Sequence, residues 1–164
     1  MNKMLLQCTV PLREALRLPE LKPVKASADP LENWCGNIFV YKRKTYYFIS
    51  NIHSWFSVIF YHKRNSDLTF FQETFFNSLD LCCEYSQLSS FYDSHLQSVT
   101  AQTMYTKLIN KSNIASLNNR ITLACSVLDN ITDNPIDTAA HINKIPVNSK
   151  NYATPIELMR ECVK

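Results

Sequence analysis

Four histidines, six cysteines and a single glycine bound the chemistry open to this 164-residue chain. His53, His62, His95 and His141 form no H-x-H, H-E-x-x-H or H-x-x-x-H pattern, so no metal site is legible from spacing. Cys8, Cys35, Cys82, Cys83, Cys125 and Cys162 contain no C-x-x-C pair, which argues against zinc and makes small buried thiols the expectation. Gly36 alone cannot build G-x-G-x-x-G or Walker loops, which need several glycines to bring backbone amides close to phosphates. The acidic residues Glu14, Asp29, Glu32, Asp67, Glu73 and Asp80 are scattered over helix starts and polar faces, with no pair set for acid–base work. The expectation is therefore no catalytic residue, no metal and no cofactor.

What the sequence does concentrate is positive charge among aromatic rings. Residues 33–66 hold 10 of the 19 aromatic residues and five Lys/Arg, but no Asp or Glu. The whole chain carries +3, so the remainder, with 12 Lys/Arg against 14 Asp/Glu, sums to −2. The charge falls in two clusters, Lys42-Arg43-Lys44 and His62-Lys63-Arg64. Cations of this kind neutralise phosphates or meet an acidic protein face, and the neighbouring rings of Tyr41, Tyr46, Trp55 or Tyr61 stack on unpaired bases where they are exposed.

The elements that carry these clusters follow from pattern. Three runs rich in aromatic and β-branched residues, at 37–41, 45–50 and 55–61, predict an antiparallel meander. Its two reversals bring both basic clusters to one end of the sheet, a few strand spacings of about 4.8 Å apart. Met4 to Val10 predicts a first strand, and Pro11 leads into a short helix at Leu12 to Leu16. Leu68, Phe71, Phe75 and Leu79 recur at helical spacing, with Ser66 and Asp67 suited to the helix start, which gives a helix near 67–80. Further helices are predicted near 86–98 and 113–130, a strand near 103–108, an irregular stretch over 132–152 and a final helix from Pro155. The sum is one α+β domain over 1–164: an antiparallel sheet, the meander plus the first strand, packed by three to five helices. No apolar run approaches the roughly 20 residues needed to span a bilayer. The N-terminal apolar run is too short for an export signal, so the expectation is a cytoplasmic protein with no membrane partner.

Several short motifs together resemble a family of small bacterial proteins catalogued as a domain of unknown function. They are Met4-Leu5-Leu6-Gln7-Cys8-Thr9, Trp34 with Asn37 and the Arg43-Lys44 pair, Tyr105-Thr106-Lys107, the segment from Ala115 to Asn118, and Tyr152-Ala153-Thr154-Pro155. The family pattern has W-H-A-N-L before the first strand of the meander and N-R-R-K at its hairpin turn. Here these read Trp34-Cys35-Gly36-Asn37-Ile38 and Tyr41-Lys42-Arg43-Lys44, so Cys35 stands where the family often has histidine. The resemblance implies an α+β bacterial cytosolic protein and brings no reaction with it. It adds Trp34 and Asn37 to the candidate binding residues Lys42, Arg43, Lys44, His62, Lys63 and Arg64.

The functional expectation is a non-enzymatic binding protein that presents its basic sheet end to nucleic acid or to an acidic protein. The alternatives are an enzyme on a phosphate-bearing substrate, with Cys35 or His62 acting beside Arg43 and Lys44, and a protein-binding regulator that uses an apolar patch.

Overall fold

A computed structural model describes residues 3–163; Met1, Asn2 and Lys164, which the expected 1–164 domain includes, lie outside the described residues. Five strands form one sheet: β1 (Met4–Cys8), β2 (Asn33–Tyr41), β3 (Lys44–Asn51), β4 (Ser57–Tyr61) and β5 (Thr103–Lys107), in the order β4-β3-β2-β1-β5. The meander β2-β3-β4 is antiparallel as expected. The sheet as a whole is mixed, which corrects the antiparallel expectation, because β1 runs parallel to both of its neighbours, β2 and β5. The cause lies in the connections. The segments before β2 and before β5 both contain helices, and a helical crossover returns the chain in the same direction, whereas a tight turn reverses it. β1 is accordingly the near-continuous apolar run of a strand covered on both faces, with Met4, Leu5, Leu6 and Cys8 buried.

Six helical bodies surround the sheet, one more than the upper expectation: α1 (Val10–Ala15), α2 (Leu68–Tyr85), α3 (Ser89–Phe91) running through a π-helical stretch (Tyr92–Leu96) into α4 (Gln97–Thr100), then α5 (Lys111–Asn130), α6 (Pro135–Ile142) and α7 (Pro155–Glu161). The helix unread in the sequence is α6, inside the stretch expected to be irregular. Pro135 does not break it but opens it, since the first helical turn needs no amide hydrogen there, and the Asn134 side chain accepts from the Ile136 and Asp137 amides at 2.8 and 3.2 Å. α7 begins with a capping box in which Thr154 and Glu157 satisfy each other's backbone amides.

The aromatic residues of the meander are mostly core. On one face, Tyr47 meets Phe60 and the Phe71 ring of α2 at 5.1 and 4.9 Å, and Trp34 meets Phe75 at 5.9 Å. On the other, Tyr46 stacks on Phe39 at 5.1 Å and lies 5.2 Å from Tyr61. Edge-to-face and offset rings at these distances add to the burial that drives the packing. Gly36 is required by this packing: a Cβ there would stand 2.6 Å from Ile49 Cδ1 and 2.7 Å from Leu12 Cδ2.

β4 starts two residues later than the expected 55, because residues 52–56 make a tight turn rather than a strand. Asn51 organises that turn. Its Oδ1 accepts from the His53 and Ser54 amides and from Ser54 Oγ at 2.9–3.1 Å, while its Nδ2 donates to the carbonyls of Pro30 and Asn33. Asn143, at the end of α6, then pairs with β4 as a strand would, accepting from the Ser57 amide at 2.7 Å and donating to the Ser57 carbonyl at 2.9 Å. The outer edge of the sheet is thereby covered near its start.

Candidate functional site: the basic end of the sheet

The β2-β3 hairpin closes in two residues, with Tyr41 paired to Lys44 across the turn. Lys42 and Arg43 take φ of 46° and 66°, the pair of positive values that defines the tight turn matching strand twist. Asn-Gly is the usual occupant, since a Cβ crowds the carbonyl in this region. Here two long cations occupy the tip instead. β4 runs back beside β3, its last pair being Tyr46 with Tyr61, and the His62 amide still donates to the Thr45 carbonyl at 2.9 Å. Both clusters thus meet at one sheet end, and Arg43, Lys44, Thr45, Tyr61, His62 and Arg64 line an open cleft of about 760 Å³.

The eight candidate residues have different environments there. Lys42 Nζ is 2.9 Å from Asp129 of α5, and the Tyr41 hydroxyl and the Lys42 ammonium together hold the Asp129 carboxyl below its ordinary value. Its charge is therefore shared with the protein's own carboxylate. Lys44 Nζ sits 5.6 Å from the centre of the Tyr61 ring, and Lys63 Nζ sits 5.1 Å from that of Phe70, where ring faces attract a cation without neutralising it. Arg43, Lys44, Lys63 and Arg64 make no ion pair among the described residues.

His62 differs from the lysines and arginines. Its Nδ1 is 2.7 Å from the Tyr47 hydroxyl, and partial burial lowers its pKa below the ordinary histidine value. It lines the cleft as a neutral imidazole at neutral pH. Trp34 is fully buried and donates from Nε1 to the Leu31 carbonyl at 2.7 Å, so its indole is a packing element remote from the cleft lining. Asn37 lies further along β2, accepting from Thr9 Oγ1 at 2.7 Å and from the Ile38 amide at 2.8 Å. It fastens the start of α1 to the sheet.

Stacking surface is sparse. Tyr46 is 3% exposed, Trp55 4% and Tyr41 half-buried, and of these rings and Tyr61, at 43%, it is Tyr61 that lines the cleft. Cys35 is fully buried, burial raises its pKa well above the ordinary thiol, and it is absent from the cleft lining. The pairing of a Cys35 thiolate with His62 and the basic cluster is not present in this geometry, because the thiol is held neutral inside the sheet. The most exposed large apolar residues, Val40, Tyr152, Ile109 and Ile131, come from separate parts of the chain. Among the described residues no group of three or more His, Cys, Asp or Glu is placed to hold a metal ion, and no helix is long and apolar enough to cross a membrane.

Two residues stand out beyond the eight candidates. Arg120 of α5 is buried, and Trp55 adopts φ of 59°, both lining a groove on another part of the surface. Arg120 falls on the apolar face of α5, three residues after Leu117 and four before Ala124, and a charge on that stripe was the signal available in the sequence. Trp55 reads as a strand residue, since nothing local announces a left-handed backbone at tryptophan.

No curated protein matches the chain. The family model of a domain of unknown function, DUF6933, matches residues 5–158, from β1 into α7, and the chain therefore belongs to that family.

Proposed function

We propose that the protein is a non-enzymatic binding protein whose basic sheet end docks an acidic surface of a partner protein. The observation that carries this is the cleft shared by Arg43, Lys44 and Arg64, which no carboxylate lines. Uncompensated like charges at close range raise the local potential and attract a polyanion. An acidic protein face is favoured over nucleic acid because Tyr61 is the one tyrosine in the cleft lining, a sparse platform for stacking bases. The strained hairpin tip supports the same reading: two cations are kept where backbone geometry favours Asn-Gly.

The test is binding of fluorescent poly-L-glutamate and of a single-stranded oligonucleotide across a salt titration. Poly-L-glutamate binds the more tightly, with an affinity that falls as salt rises, and Arg43→Ala with Lys44→Ala lowers it by roughly an order of magnitude. Affinity independent of salt, or unchanged in the double variant, overturns the proposal. Tighter binding of the oligonucleotide replaces the acidic protein with nucleic acid as the partner.

A further inference from the structure

Arg120 is a buried cation with no counter-ion among the described residues. The residue is 7% exposed, and no carboxylate lies within ion-pair distance of it among the described residues. Nη2 donates to the Ile142 carbonyl at the end of α6, at 2.8 Å, while the enclosed Nε has no hydrogen-bond partner. Burial pulls its pKa down to about 10, which leaves the guanidinium charged at neutral pH. A buried charge with one neutral acceptor is far from satisfied, since burial normally requires an opposite charge or several hydrogen bonds.

Arg120 also lines a groove of about 410 Å³ with Trp55, Ser116, Asn119, Leu123 and Val147. Trp55, Ser116 and Ser149 also line a hollow of about 640 Å³, so the two lie side by side at the indole. The groove lining contains no acidic residue. Its wall at Trp55 is strained, because φ of 59° is an outlier for a bulky side chain, and the Asn51 hydrogen bonds and the 2.8 Å bond from the Trp55 amide to the Asn51 carbonyl hold it there. A rigid turn thus fixes an aromatic wall beside a fixed and unneutralised guanidinium.

We propose that this groove binds a small organic carboxylate with an aromatic or apolar body, the carboxylate taken by Arg120 and the body laid against Trp55 and Leu123. The guanidinium hydrogens that the Ile142 carbonyl does not take are donors for a carboxylate, and the charge-assisted bond gains strength away from water. One positive charge balances one carboxylate; a phosphate dianion would leave its second charge facing apolar walls. Asn119 and Ser116 supply neutral donors at the rim. This site is separate from the basic sheet end, and its fate is independent of that of the proposed docking surface.

Phenylacetate, its neutral analogue phenylacetamide and inorganic phosphate are the probes, read by thermal shift and tryptophan fluorescence on the full chain. Phenylacetate raises Tm and changes the fluorescence, and phenylacetamide and phosphate bind at least about tenfold more weakly, as loss of a charge-assisted bond requires. Arg120→Met weakens phenylacetate by roughly 10- to 100-fold. Ser116→Phe, which fills the groove and leaves the guanidinium in place, abolishes the response even if the Arg120 variant fails to fold. Arg43→Ala with Lys44→Ala leaves it unchanged. No response to any probe, an equal response to phenylacetamide or phosphate, or retained binding in Ser116→Phe overturns the proposal.

Discussion

Replacing Lys42-Arg43 with Asn-Gly separates the conformational cost of the hairpin tip from its charge. In the left-handed region an L-residue with a full side chain is disfavoured by roughly 1–2 kcal/mol, and the tip holds two such residues at φ of 46° and 66°. Asn relieves part of this and Gly all of it, while the greater freedom of Gly in the unfolded chain gives back roughly 0.5–1 kcal/mol. The change also removes the contact of Lys42 with Asp129. With those side chains 66% and 49% exposed, solvent screening keeps this contact weak beside the backbone terms. The net expectation is a gain of about 1 kcal/mol, which for a chain of this length raises Tm by about 2–4 °C. Calorimetric melting reads the gain, and poly-L-glutamate binding in the same preparation falls. Asp129→Asn measures the lost contact separately. A variant no more stable than the wild type, once that contact is allowed for, refutes the idea that the tip is strained and with it the support that strain lends to a docking role.

Two further outcomes test the core and the cleft. Gly36→Ala forces a methyl against Ile49 and Leu12, both fully buried, and is expected to destabilise by roughly 1–3 kcal/mol in chemical denaturation; a change under about 0.5 kcal/mol would show that the neighbouring side chains move aside. His62 has its folded pKa lowered by burial, so between the folded value and the ordinary one the unfolded chain binds more protons, and stability rises with pH through that window. Acidification below about pH 6.5 therefore removes stability, and His62→Gln, with no imidazole to protonate, loses less between about pH 7 and 5. Parallel stability profiles for the two proteins would show that protonation of His62 is not coupled to folding.

Several elements were legible because their signals are local. The period of Leu68, Phe71, Phe75 and Leu79 marks α2, and alternation with reversals marks β2-β3-β4. α6 is hidden in the sequence because the prolines at 135 and 146 give 132–152 an irregular composition, whereas Asn134 turns Pro135 into a helix start. The direction of β1 was missed for a different reason. Its residues are equally compatible with either pairing, and the crossovers on either side of it decide.

By itself, then, the sequence determined that positive charge and aromatic residues share residues 33–66, that no glycine-rich phosphate loop exists, and that strand reversals carry both basic clusters to one sheet end. Tertiary structure alone decided what each side chain is free to do. It put Tyr46, Trp34 and Cys35 in the core, gave Lys42 a carboxylate from α5, 87 residues away, and left Arg120 enclosed beside a groove whose lining holds no carboxylate. The physical reason is that residue type and period fix which atoms lie on a face, whereas burial and charge compensation depend on elements distant in sequence that fold onto that face.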